Sequence, residues 1–209
     1  MGSRRNLLAW AAAASVGATL GGLDARADDI AASASDFVNR LAERVIKILT
    51  DKRLDKDGRV RALSRVFLDG FDVRAIGRFV LGRYWRPASE AERTDYLAVF
   101  QDYVVQTYAV RFTSYAGESF VVPKAIPDGE EGAIVFSDVG KLGEEPVHVQ
   151  WRVRRTANGY KIVDVNVEGI SLIVTQREEF ASVLQRHEGK VAALTALLRE
   201  KIAQLKQQG

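Results

Sequence analysis

Residues 147–168 read VHVQWRVRRTANGYKIVDVNVE and contain the pattern that decides the fold. Apolar and polar residues alternate from Val147 to Arg154, and again from Val163 to Glu168. Asn158 and Gly159 lie between these stretches, and this dipeptide is a strong signal for a tight hairpin turn. The pattern predicts two antiparallel strands with one covered, apolar face and one solvated face.

Two further strands are predicted upstream of this hairpin, over 120–122 and 133–139, joined by segments rich in turn residues. Apolar residues at three- and four-residue steps predict helices on both sides of the strands. The predicted helices before the sheet cover 37–49, 60–71 and 73–80, and the last helix of the chain covers 191–205. This order predicts a single α+β domain, in which helices wrap one side of a curved, antiparallel, four-stranded sheet.

A long helix is predicted to form the spine of this domain. Residues 89–92, SEAE, form a capping box, in which serine and glutamate satisfy free backbone amides at the start of a helix. From Tyr96 to Phe112, every fourth residue is apolar or aromatic, and further apolar residues between them widen this stripe. A helix that is apolar around so much of its circumference is buried on several sides. A second box, 175–178 or TQRE, predicts the start of the first helix after the sheet.

The amino-terminal segment predicts export. Arg4 and Arg5 precede an apolar stretch over 7–23, and residues 25–27, ARA, match an A-x-A cleavage site. We predict a cleaved signal peptide over 1–27 and a single mature domain over 28–209 in the bacterial periplasm. The apolar stretch is shorter than the ~20 residues that span a bilayer, which disfavours a membrane anchor. The paired arginines also resemble a twin-arginine signal, so the export route stays open.

Composition excludes several classes of function. The chain has 209 residues, no cysteine and two histidines, which removes thiol nucleophiles, thiolate zinc sites, iron–sulfur ligation and three-histidine metal sites. The net charge of +3 falls to +1 without residues 1–27, leaving no electrostatic case for binding nucleic acid. His148 falls on the polar face of its strand and His187 at a helix end, so both are expected to be solvated. We therefore predict that the protein is not an enzyme.

The chain resembles the MlaC, or toluene-tolerance, family of periplasmic phospholipid carriers. The resemblance is carried by residues 79–85 (FVLGRYW), the aromatic helix over 96–115, 151–153 (WRV), 163–172 (VDVNVEGISL) and 177–180 (REEF). These segments occur in the family's order and cover essentially the whole predicted mature chain.

This resemblance implies a fold similar to nuclear-transport-factor-2-like domains, with extra helices and a deep apolar cavity between helices and sheet. It implies a monomer without a cofactor, whose cargo is phospholipid. The implied partners are an outer-membrane lipoprotein complex and an inner-membrane ABC transporter with a mammalian-cell-entry-type subunit, and the implied role is to maintain outer-membrane lipid asymmetry. A hopanoid-associated branch of the family, a small-molecule enzyme on the same fold, and an adaptor that docks a partner through its last helix remain alternatives.

A carrier of phospholipid has to enclose the acyl chains. Each methylene taken from water contributes about 0.8 kcal/mol, so exposing two chains of ~16 carbons costs on the order of 20 kcal/mol. The broad aromatic helix and the valine-rich sheet face are the surfaces predicted to line the cavity, although the same residues could pack as a solid core. The predicted lipid-binding residues are Val73, Ile76, Phe79, Val80, Trp85, Tyr96, Phe100, Val104, Tyr108, Phe112, Val135, Val149, Trp151, Val163 and Val165.

Arginines near this set are candidates for the lipid head group. Arg83 and Arg86 flank Trp85, and a guanidinium offers paired donors to a phosphate. Arg111 and Arg152 are weaker candidates. The alternative is that these arginines are solvated surface charges.

Overall fold

The computed structural model describes residues 21–112, 117–141 and 143–208, with side chains described for 26–108, 117–141 and 143–207. Within these ranges the chain forms six α-helices, five β-strands and a short 3₁₀ turn over Gly82–Tyr84. The elements are α1 (Gly21–Thr50), α2 (Lys56–Gly70), α3 (Val73–Leu81), α4 (Glu90–Phe112), β1 (Ser119–Pro127), β2 (Gly132–Gly140), β3 (Val147–Thr156), β4 (Gly159–Val167), β5 (Ile170–Ser171), α5 (Leu172–Arg186) and α6 (Val191–Gln208).

The strands form one open antiparallel sheet in the order β1-β2-β3-β4-β5. The predicted α+β class is confirmed, but the predicted count of four strands is wrong. Glu168 and Gly169 adopt positive φ angles of 49° and 84°, which reverses the chain. Ile170 then pairs with Val167 and Ser171 with Asn166. A strand of two residues is too short to show alternation, so the sequence pattern could not predict it.

The alternation predicted for β4 breaks at Val163. The β3–β4 ladder pairs Arg152 with Asp164 and then Val153 with Ile162, so Val163 is the extra residue of a β-bulge. Ile162 is fully buried opposite Val153, whereas Val163 is only half-buried. Ile162 therefore occupies the core position that the sequence pattern predicted for Val163.

The helices pack on the sheet and on one another. Helix α1 lies across β1 and β2, while α2, α3 and α5 contact β4, and α6 packs against α4. This arrangement produces two separate apolar clusters. One joins α3, α4, α5 and α6 around Phe100 and Leu184, and the other joins α1 and α2 to the sheet around Val38 and Val153.

The corner between α2 and α3 is tied directly to β4. Phe71 forms a parallel β-bridge with Ile162, and the amide of Asp72 donates to the Ile162 carbonyl at 3.0 Å. The Lys161 ammonium donates to the carbonyls of Leu68 and Asp69 at 3.2 and 2.6 Å. A lysine at this point satisfies carbonyls that the end of α2 leaves free.

One predicted helix start is confirmed and the other is wrong. The Glu92 amide donates to the Ser89 hydroxyl at 3.2 Å, and the Ser89 amide donates to the Glu92 carboxylate at 2.9 Å. These bonds from Ser89 lower the pKa of Glu92. In contrast, α5 begins before the predicted box, because Ser171 accepts from the Val174 amide. Thr175 lies inside the helix, where its hydroxyl donates to the Ser171 carbonyl at 3.0 Å.

Helix α1 is longer than the segment 37–49 predicted from sequence. It begins at Gly21, and Ile30, Ala31 and Ala34 are buried. Residues 1–20 of the predicted signal peptide lie outside the described residues, and cleavage after Ala27 stays a prediction. Among the helices described, none combines the length and apolar character needed to cross a bilayer.

Close packing of α3 on α4 depends on a buried tyrosine and a glycine. The Tyr96 hydroxyl donates to the Gly77 carbonyl at 3.0 Å, and burial raises the pKa of Tyr96 above its usual range. A side chain at Gly77 would begin 2.9 Å from the rings and methyls of Phe100 and Leu97. The absence of a side chain therefore permits the close approach that the hydrogen bond requires.

We expect Tyr96→Phe to lower the free energy of unfolding by about 1 kcal/mol, because it removes a buried hydrogen bond and keeps the ring. Urea denaturation followed by circular dichroism measures the change. The control is Tyr84→Phe. The Tyr84 hydroxyl accepts from the exposed Arg83 guanidinium, so its removal should change stability by less than about 0.5 kcal/mol. Equal midpoints for the two variants would contradict the role of Tyr96.

Candidate functional site

A cavity of about 580 Å³ lies between the helices and the inner face of the sheet. This volume is within the ~300–1,000 Å³ typical of sites for small ligands. The wall is apolar except for a few side chains. The lining residues are Val38, Leu41, Ala42, Val45, Ile46, Leu49, Leu63, Ser64, Val66, Phe67, Phe71, Ile76, Val80, Phe100, Val104, Val105, Tyr108, Glu118, Ser119, Phe120, Val139, Val149, Trp151, Asp164, Val165, Val167, Leu172, Ile173 and Gln176.

The structure brings many of the predicted lipid-binding residues together on this wall. They come from α3, α4, β3 and β4, so one cavity joins the two surfaces that the sequence predicted to face each other. The predicted residues that line the cavity are Ile76, Val80, Phe100, Val104, Tyr108, Val149, Trp151 and Val165. Contact of these residues with lipid stays a prediction.

Four other predicted residues lie in the packed interior or in the ladder. Val73 and Tyr96 are buried in the cluster formed by the helices, and Val135 is buried in the cluster on the sheet. Val163 is the bulge residue described above. The sequence identifies apolar residues, but it does not say whether the opposite surface touches them or stands apart.

Phe79 lies on the exposed side of α3, and Trp85, in the turn that follows, is half-buried against the cluster formed by the helices. Phe79 is 40% exposed, and the Arg177 guanidinium lies 4.9 Å from its ring centre. Trp85 is flanked by the guanidinium groups of Arg78 and Arg93 at 5.8 and 5.3 Å. Neither aromatic ring lines the cavity. The side chain of the remaining predicted residue, Phe112, lies outside the described residues.

The arginines proposed for the head group do not line the cavity either. Arg83 and Arg86 are exposed, and the Arg83 guanidinium donates to the Tyr84 hydroxyl at 2.9 Å. Arg152 pairs with Asp128 at 3.2 Å. The side chain of Arg111 lies outside the described residues.

The polar lining consists of Ser64, Glu118, Ser119, Asp164 and Gln176. The alternation of β4 had predicted that Asp164 lies on the solvated face, and this is wrong, because the bulge at Val163 interrupts the alternation just before it. The Asp164 carboxylate accepts from the Ser171 hydroxyl at 2.8 Å, and Glu118 lies 3.9 Å from the Lys141 ammonium. Gln176 belongs to the segment interpreted as a capping box. No local signal could identify this set, because its members come from elements that are distant from one another in the chain.

Helices α1 and α2 supply much of the cavity wall, although no residue of either helix was predicted to bind lipid. Leu41, Val45 and Leu49 follow one another at four-residue steps along α1, and Leu63 and Val66 face the same space from α2. The periodicity of both helices was visible in the sequence. However, periodicity identifies the buried face of a helix and not the element opposite to it.

The histidines lie away from the cavity. The side chain of His148 is 62% exposed, and its Nδ1 lies 2.8 Å from an Asp138 carboxylate oxygen. This hydrogen bond raises the pKa of His148. His187 is exposed at the end of α5. Among the described residues, no group of three or more His, Asp or Glu side chains is placed to hold a metal ion.

The fold and the cavity define an α+β protein with an apolar site between a helical layer and one face of an antiparallel sheet. The sequence profile described as "MlaC protein" matches residues 39–200, and the chain belongs to the MlaC family. A similar solved structure is that of the phospholipid-binding protein from Ralstonia solanacearum, determined in complex with a phospholipid. The TM-score is 0.74 at 24% identity, and the match covers 83% of this chain and 99% of that chain. The resemblance stated from sequence is therefore confirmed.

We expect the His148 imidazole to titrate with a midpoint above 6.5, because Asp138 stabilises its protonated form. A folded pKa above the unfolded value means that this contribution to stability is present below pH 6.5 and is lost as the pH rises through the folded pKa. Titration of the imidazole resonances by NMR measures the midpoint. In Asp138→Asn the midpoint of His148 should move back towards 6.5, and an unmoved His148 would contradict the pairing.

Proposed function

We propose that the protein is a periplasmic lipid carrier that encloses phospholipid acyl chains in the cavity between helices and sheet. The observation that carries the proposal is the apolar volume of about 580 Å³. Membership of the MlaC family and the fold shared with a phospholipid-bound protein support it. The predicted signal peptide supports the location.

The energetics favour enclosure. An acyl chain gains about 0.8 kcal/mol for each methylene removed from water, so a lipid leaves a membrane readily only if a comparable apolar environment replaces the bilayer. The described lining offers valine, leucine, isoleucine and phenylalanine side chains from five helices and four strands. Such a wall binds acyl chains through the hydrophobic effect, which is not directional. It would therefore suit a carrier that accepts different lipids.

The head group is proposed to lie at the polar part of the wall. Ser119 is exposed and lines the cavity, and the half-buried Glu118 and Gln176 are also in the lining. A polar head group here stays hydrated while the chains extend inward. Arg83 and Arg86 could reach a head group only from outside the lining.

The proposed partners of transport rest on the family likeness. We propose that the protein exchanges phospholipid with an outer-membrane lipoprotein complex and with an inner-membrane ABC transporter bearing a mammalian-cell-entry-type subunit, and so maintains outer-membrane lipid asymmetry. An apolar cavity with few polar groups would also suit a hopanoid, which is the alternative cargo.

The proposal is tested by identifying what the protein carries. The full chain is expressed in a Gram-negative host, purified without detergent, extracted with organic solvent and examined by mass spectrometry. We expect phospholipid in a fixed ratio to protein. Protein that contains no lipid, and takes up neither phospholipid nor hopanoid from vesicles, would overturn the proposal.

Blocking the cavity should slow the transfer of a fluorescent phospholipid between vesicles. Ala42 lines the cavity from α1, and Ala42→Trp would place an indole in the space that the chains occupy. A steric cost of about 1–3 kcal/mol, as for overpacking of a core, would weaken lipid binding about fivefold to 150-fold, and we expect the transfer rate to fall by a factor in that range. The control is Glu43→Trp, one residue further along the helix and exposed to solvent. Equal transfer rates for the two variants would contradict the proposed binding mode.

A further inference from the structure

The inner face of β3 changes from cavity wall to solid core within two residues. Val149 and Trp151 line the cavity, and Val153 points to the same face because side chains on a strand alternate. Val153, however, is fully buried and does not line the cavity. The cavity therefore ends, on this strand, next to Trp151.

The neighbouring strands change at the same level. Trp151 pairs with Val135 on β2 and with Val165 on β4. Val165 lines the cavity, whereas Val135 is fully buried and does not, and beyond the bulge Ile162 is also fully buried. Trp151 thus lies at the boundary between an open half and a filled half of the sheet.

Helix α1 shows the same boundary from the opposite side. Val38 lines the cavity, while Ala34, one turn earlier, is fully buried and packs in the cluster that includes Val135 and Val153. Small residues on α1 let the helix approach the sheet closely at this end. The packed region next to Trp151 therefore includes residues of both the sheet and helix α1.

The orientation of the Trp151 ring is fixed by a hydrogen bond inside the apolar wall. Its indole Nε1 donates to the Ser137 hydroxyl at 2.8 Å. Ser137 is 1% exposed, and its own hydroxyl lies 3.5 Å from the Val149 carbonyl that accepts from it. The Phe120 ring lies 6.2 Å from the indole. Buried polar groups are kept where they have partners, so Ser137 and Trp151 hold each other in place.

We propose that Trp151, held by Ser137, is the end wall of the cavity and sets the length of the acyl chains that it accepts. The inference rests on the proposed function and adds a determinant of lipid choice to it. A chain that reaches the indole has all its methylenes enclosed. Each further methylene has no space behind the ring and loses the burial that would contribute about fourfold in affinity.

The test measures competition by a series of phosphatidylglycerols that differ only in acyl chain length against a fluorescent phospholipid. For the unaltered protein we expect affinity to rise with chain length and then to level off or fall. Trp151→Ala removes the end wall, so the chain length of highest affinity should increase. Trp151→Phe keeps an aromatic ring in the core and should move the optimum in the same direction by less.

Two more variants separate an end wall from a general enlargement of the cavity. Phe67→Ala enlarges the cavity from the helical side and should change affinity without moving the optimum. Ser137→Ala releases the indole and should broaden the dependence on chain length. An unchanged optimum in both Trp151 variants, while the unaltered protein binds phospholipid, would overturn this inference alone. If the unaltered protein binds no member of the series, the proposed phospholipid function fails as well.

Discussion

Attachment of the α2–α3 corner to β4 is the contact on which the cavity depends. The β-bridge between Phe71 and Ile162 and the bonds from Lys161 to the end of α2 hold the helical layer to the sheet at one point. Because these bonds are polar and directional, they fix a spacing that apolar collapse alone would not maintain. Two apolar clusters fill the interior on either side of this corner, and the space between them is left as the cavity.

Local sequence patterns predicted most helices and strands of the fold. Where an element differs from its predicted pattern, the cause is its pairing with residues that are distant in the chain. The hairpin at Asn158 and Gly159 and the Ser89 capping box follow from neighbouring residues, and both are present. The bulge at Val163 depends instead on how β4 meets β3 and the α2–α3 corner. The start of α5 at Ser171 follows a chain reversal that the sequence pattern did not predict.

The candidate site was less accessible from sequence than the fold. Apolar periodicity on α4 and alternation on β3 predicted residues such as Phe100 and Trp151, which do line the cavity. The same patterns also predicted Tyr96 and Val135 as lining residues, but both are fully buried in the packed core and do not line the cavity. Whether an apolar face meets its neighbour or stands apart from it is a property of the assembled layers. For the same reason, the contribution of Leu41 and Val45 from α1 could not be assigned in advance.

The buried residues of α1 that follow the predicted cleavage point link the position of that cleavage to the stability of the fold. Ile30, Ala31 and Ala34 are buried close behind the predicted cleavage point, and the Ala31 and Ala34 side chains help close the filled end of the sheet. If the chain is cleaved as predicted, a cut beyond Ala34 instead would remove these buried side chains and expose the part of β1 and β2 that they cover. Such a loss would destabilise the fold in the same way as truncation of buried core side chains does.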